Sequence, residues 1–172
     1  MALRFVLDAD LTPPLRDDIV ELWTDVTNAG GAVGFVPPVT RDEVLPTATA
    51  AYAAVAAGHD RLLLGFADDR LAAAVFFTGN RFALKDHWCT LKRVMVHPDH
   101  QGRGYGVALM REAERVARQL GWQALRVTVR GGLGLERFYT RVGYRQVGRL
   151  PGAIRVGPGD DRDEIIMWLT LN

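Results

Sequence analysis

The chain has 172 residues, 48% hydrophobic and 24% charged, with 21 Lys and Arg against 20 Asp and Glu. That balance suits one globular domain over residues 1–172 with a sizeable core, and the net charge of +1 gives no electrostatic reason to expect a nucleic acid or an anionic membrane as partner. The single cysteine, Cys89, excludes an intrachain disulfide and a cysteine-rich metal centre. No apolar run approaches the ~20 residues of a membrane span, and no basic-then-apolar leader opens the chain, so the expected location is the cytoplasm.

In chain order, Leu3 to Leu7 alternates weakly and reads as a first strand. Thr12-Pro13-Pro14 opens a helix with Leu15, Ile19, Leu22, Trp23 and Val26 on one face, ending near Asn28. Ala29 to Pro38 is glycine-rich and apolar and is expected to be a mobile loop. Thr40 caps a second helix, with Asp42 and Glu43 in its first turn, Pro46 early in it or breaking it, and Gly58 at its end. Arg61–Ala67 and Leu71–Thr78 form two apolar strands around the turn Asp68-Asp69. Asn80 to His87 is a connection, and Trp88 to Val96 a fourth strand. A long helix follows, with Val107, Met110, Ala113, Ala117 and Leu120 on one face and Gly121 closing it. Ala124–Val129 is a fifth strand, Leu133–Val142 a short helix ended by Gly143, and Tyr144–Val147 the start of a sixth strand. Pro151–Asp163 reads as a long polar loop before a last strand, Glu164–Leu171.

The fourth strand runs into His97-Pro98-Asp99-His100-Gln101-Gly102-Arg103-Gly104-Tyr105-Gly106-Val107 and so directly into the long helix. The first turn of a helix has free backbone N–H groups and the positive end of the dipole. Glycines at 102, 104 and 106 remove the Cβ atoms that would hold a ligand away, so the stretch can cradle an anion, most naturally a phosphate or pyrophosphate. Arg103 adds a fixed positive charge. A P-loop is ruled out because no Lys follows the glycines. A dinucleotide fingerprint is ruled out because Val107 and Leu109 stand where glycine is needed.

What remains is Gln/Arg-x-x-Gly-x-Gly/Ala, met by Gln101, Gly104 and Gly106 after a strand ending Val-x-x-Pro. This pattern resembles the coenzyme A pyrophosphate loop of the GCN5-related N-acetyltransferase (GNAT) superfamily. The element order β-α-α-β-β-β-α-β-α-β-β is also that family's usual one. Gly30–Phe35 and Val147–Gly152 resemble tabtoxin-resistance-like small-molecule acetyltransferases more narrowly. The implied fold is α/β (α+β): a mixed, mostly antiparallel sheet of about seven strands, helices on both faces, splayed between strands four and five.

The resemblance implies acetyl-CoA as cosubstrate, without a metal, and transfer of its acetyl group to a primary amine of a small molecule. Gln101, Gly102, Arg103, Gly104, Tyr105, Gly106 and Val107 would bind the pyrophosphate. The backbone of Val94, Met95 and Val96 would pair with the pantetheine arm, with an N–H near Val96 facing the thioester oxygen. Tyr139, in Phe138-Tyr139-Thr140-Arg141-Val142-Gly143-Tyr144, would be the general acid toward the sulfur. A phenol of ordinary pKa ~10 can donate to a thiolate of similar basicity. Phe35 would line the acceptor pocket, built from the first helix-loop-helix and the loop after strand six. Relatives often carry an asparagine where Gly132 stands, and an acidic base where Thr90 or Thr128 stands. The base is therefore left among Asp86, His87 and Glu136. His97 and His100 are expected at the surface, and Cys89 as a small strand residue. Two other readings stay open: a protein N-terminal acetyltransferase, and a non-catalytic acyl-CoA sensor, which the threonines at 90 and 128 favour. A homodimer is possible, with Trp168 at its surface or in the core.

Overall fold

The computed structural model describes residues 3–172. Among these residues the elements run β1 (Arg4–Leu7), α1 (Pro13–Asn28), α2 (Arg41–Ala56), β2 (Asp60–Ala67), β3 (Arg70–Gly79), β4 (Trp88–Val96), α3 (Tyr105–Gln119), β5 (Ala124–Arg130), α4 (Leu135–Arg141), β6 (Arg145–Gly157) and β7 (Asp160–Thr170). This is the expected order. The chain divides into two compact units, Met1–Gly79 with Leu91–Ala113, and Asn80–Thr90 with Glu114–Asn172.

In the first unit the strand order is β1-β2-β3-β4. β2 is antiparallel to both β1 and β3. Asp68 and Asp69 both take positive φ, 48° and 62°, giving the primed turn whose twist matches a hairpin. Leu62 pairs with Phe76 and Leu64 with Ala74, so these four side chains share one face. α1 covers that face with Ile19, Leu22, Trp23 and Val26, and α2 adds Val44 and Ala48; Met95 of β4 joins the same core. Each of the larger aliphatic side chains among them contributes about 1.5–3 kcal/mol by leaving water. Leu63, Val75 and Phe77 point to the opposite face and are equally buried, which explains why β2 and β3 read as unbroken apolar runs.

Local sequence sets the ends of these helices. Thr40 and Glu43 form a reciprocal capping box at α2, and the Thr40 N–H draws the Glu43 carboxyl below its usual range. Pro46 lies inside α2 rather than breaking it. Residues 29–38, expected to be mobile, are tied down. The Trp23 indole donates to the Val33 carbonyl at 2.9 Å, and the Asn28 side-chain amide both donates to and accepts from the Val39 backbone.

In the second unit the order is β4-β5-β7-β6. Trp88, Cys89 and Thr90 run parallel to Ala124, Leu125 and Arg126, and the described register ends there. β5–β7 and β7–β6 are antiparallel. The long polar loop expected over Pro151–Asp163 is instead a hairpin: β6 continues to Gly157 and β7 starts at Asp160. Pro151, Gly152 and three bulge-like register shifts obscure its alternation. Pro151 is tolerated because β6 is the last strand in the order and leaves one row of backbone groups unpaired. Arg149–Asp163 and Arg155–Asp161 ion pairs cross this ladder at 2.6 and 2.7 Å.

Candidate active site

The glycine-rich stretch belongs to the first unit. β4 ends in Val94, Met95 and Val96; the Met95 side chain is fully buried, so anything Met95 offers a ligand comes from its backbone, while Val94 and Val96 are half-buried. Just upstream Arg93 has φ +55°, a left-handed conformation that a non-glycine residue seldom adopts in a strand. The Gln101 side-chain amide donates to the Val96 carbonyl at 3.1 Å and braces the loop against the strand end. Gly102 and Gly104 sit at φ +73° and +82°, and a Cβ built on either meets nothing within 4 Å. The backbone there is bare and faces open space. Ala108 N–H is bonded back to the Gly104 carbonyl at 3.0 Å, so the N–H groups of Tyr105, Gly106 and Val107 precede the helical ladder of α3. Arg103 is exposed between the two glycines. The loop thus offers convergent N–H donors, a helix N-terminus and a guanidinium to an anion.

The Tyr105 ring turns the other way. It stacks on His100 at 5.4 Å and packs with Ala67 and Ala72. The two histidines are not surface residues as expected. Both are half-buried, His97 beside Asp25 of α1 and His100 against the Tyr105 ring. Asp25 Oδ2 lies 3.3 Å from His97 Nε2, and the Asp99 N–H donates to His97 Nδ1, leaving Nε2 as the nitrogen that donates.

Tyr139 belongs to the second unit, on the last turns of α4. Gly143 at φ +97° ends this helix: Tyr144 N–H bonds to the Tyr139 carbonyl and Gly143 N–H to the Thr140 carbonyl, the paired closure of a Schellman motif. The Tyr139 ring is 7% exposed, with Phe138 and Tyr144 edge-on at 5.1 and 5.6 Å. Burial pushes its phenol above the ordinary value, so it holds its proton throughout the physiological range. The neighbouring Tyr144 hydroxyl is buried with no hydrogen-bond partner. Cys89 is buried and its thiol likewise pushed up, as expected of a plain strand residue.

At Gly132 (φ +89°) a Cβ would come within 2.6 Å of Arg162 Nη1. Arg162, ion-paired with Asp160, fills the space an asparagine side chain would need. Thr90 is half-buried and Thr128 exposed. Asp86 and His87 are exposed, and Glu136 keeps one buried carboxylate oxygen without a partner.

One group went unnoticed in the sequence. The Arg93 guanidinium carbon lies 4.8 Å from the Trp23 ring centre and 5.5 Å from that of Phe76, while Phe35 meets Trp23 edge-on at 6.1 Å. Lys92-Arg93 places two charges in succession inside β4 and so breaks the period of two, but nothing local announces the rings beneath Arg93.

Comparison with known proteins bears on all of this. Among solved structures, yncA from Salmonella typhimurium with its cofactor acetyl-CoA superposes with a TM-score of 0.77 at 19% identity, covering 100% of this chain and 95% of that one. The ribosomal-protein-alanine N-acetyltransferase from Brucella melitensis gives 0.76 at 16% identity, covering 96% and 99%. These likenesses establish the fold. The tRNA uridine(34) acetyltransferase of Methanocaldococcus infernus is 38% identical over 52 residues, 30% of this chain; the match spans only 10% of that protein's length. The profile of the Acetyltransferase (GNAT) family matches residues 19–144, through both the glycine loop and the Tyr139 motif. A match over most of the sequence, joined to the expected element order, decides the matter: the chain belongs to the GNAT acetyltransferase family.

Proposed function

We propose that residues 1–172 act as one acetyl-CoA-dependent N-acetyltransferase domain whose acceptor is the primary amine of a small molecule. The observation that carries this reading is the pair of left-handed glycines facing open space at the start of α3, directly after β4. Bound there, acetyl-CoA supplies an acyl thioester and a thiol leaving group. The N–H groups of residues 102–107 and the Arg103 charge hold the pyrophosphate. The backbone of Val94, Met95 and Val96 holds the pantetheine arm, and an N–H near Val96 stabilises charge on the carbonyl oxygen. Tyr139 keeps a proton at its hydroxyl for the departing sulfur. Phe35, edge-on to Trp23, lines the acceptor side.

Support for a small acceptor comes from the near-absence of charge in residues 29–39. The similarity to ribosomal-protein-alanine N-acetyltransferases favours a second reading, acetylation of a protein N-terminus. Thr90 and Thr128, which supply no carboxylate, favour a binding module without turnover. Thiol release from acetyl-CoA, measured over a panel of small amines and of N-terminal peptides, separates the three. Turnover on small amines is the expected result. Turnover on peptides alone overturns the small-molecule acceptor, and acetyl-CoA binding without release on any member overturns catalysis.

A further inference from the structure

The cluster around Arg93 is larger than its aromatic contacts. Arg93 makes no hydrogen bond or ion pair among the described residues, although half-burial raises the cost of its charge. Asp60, at the start of β2, is 8% exposed. The two feel each other electrostatically, for Asp60 favours the Arg93 charge, yet no ion pair forms. Thr78 is the cross-strand partner of Asp60, so their side chains share a face with Leu62 and Phe76. Of these three groups the Thr78 hydroxyl is the one buried without a partner among the described residues, and all three lie within the first unit. Buried polar groups left unpaired are uncommon in folded proteins and call for an absent partner.

The arrangement also fits a purpose. Arg93 takes a left-handed φ of +55°, a conformation that persists only where the surroundings over-determine it. Trp23 and Phe76 hold the guanidinium by cation–π attraction, which leaves its N–H fork to bond in its own plane. A planar fork of donors matches the two oxygens of a carboxylate. Phe35 stands at the border of the same floor.

We propose that the acceptor carries a carboxylate as well as its amine, and that Arg93 binds this carboxylate above the Trp23 and Phe76 rings. Asp60 orients the guanidinium without neutralising it by direct contact. The inference rests on the transfer reading above for the role of the amine, and it narrows the acceptor to amino acids and their close analogues.

The test uses the full chain and matched pairs: standard amino acids and their methyl esters, with rates compared per free amine because esterification removes the negative charge and also lowers the amine's pKa. Two readouts run in parallel, kcat/KM for thiol release at saturating acetyl-CoA, and thermal shift with coenzyme A present. The wild type is expected to prefer the acid over its ester by about 10- to 100-fold for at least one pair, the range of a charge-assisted bidentate contact. In Arg93→Gln the preference should fall to near one. Arg93→Lys, with charge but no fork, should fall between. Acetyl-CoA affinity and melting temperature report whether each variant is folded; if Arg93→Gln is not, the wild-type ratio and Arg93→Lys decide. Equal rates on acids and esters, or no acid binding at all, overturn the proposal. Acid-selective binding that Arg93→Gln abolishes, without thiol release, keeps the proposal and overturns transfer.

Discussion

Removing the Tyr139 hydroxyl, as Tyr139→Phe, tests the chemistry most directly. The ring is 7% exposed and wedged edge-on between Phe138 and Tyr144; phenylalanine keeps both contacts, so stability should change by less than about 1 kcal/mol. The rate effect follows from the direction of the pKa. Burial raises the phenol, so complete proton transfer to a thiolate runs uphill. The hydroxyl then acts mainly as a donor to sulfur on which charge develops. A hydrogen bond to a charged group contributes about 1.5–3 kcal/mol, or a loss of roughly 10- to 150-fold in kcat, the low end for a positioned acid. Acetyl-CoA affinity should stay within about twofold, because the contact strengthens only as charge develops. The sign of the pH dependence follows as well: a raised phenol stays protonated, so no fall in kcat from loss of this proton is expected between about pH 6 and 9. The assay is single-turnover thiol release across that range, on a substrate for which chemistry limits the rate. A rate within twofold of wild type refutes the assignment, and equal losses in affinity and rate would make Tyr139 a ground-state contact.

Other expectations are simpler. Gly104→Asp forces a side chain into φ +82° and puts a negative charge in the anion cradle, so acetyl-CoA binding should be lost by calorimetry while the far-ultraviolet circular dichroism stays native. Thr40→Ala removes the α2 cap and should cost about 1 kcal/mol in urea unfolding, with no change in acetyl-CoA affinity. Cys89, fully buried with its thiol pushed up, should resist iodoacetamide at pH 8 in the native state and react once urea unfolds the chain, as read by intact mass.

What the sequence revealed was set by neighbours along the chain. The Thr40–Glu43 capping box, the Asp68-Asp69 turn, and the helix ends at Gly121 and Gly143 each depend on a few adjacent residues, and all stand where the sequence places them. The glycine loop belongs to the same class. Features made by distant partners were not legible. His97 is drawn inward by Asp25, 72 positions away in sequence, and nothing in the local pattern announces it. The β6–β7 hairpin hid behind Pro151 and its bulges, because edge-strand pairing depends on which side of the strand is unpaired. Arg93 reads as an ordinary surface charge until the Trp23 and Phe76 rings are seen beneath it. A family pattern that emphasises glycines and one tyrosine does not single out this side chain.

The outer strand β6 has a bearing on self-association. A long strand with free backbone groups is a template on which another copy could continue the sheet. Here Pro151 interrupts the row of donors and the register shifts three times. Val147 and Leu150 are exposed along it, which makes that protection useful. Edge-to-edge addition at β6 is therefore disfavoured, and the other outer strand, β1, is only 4 residues long and offers a short template.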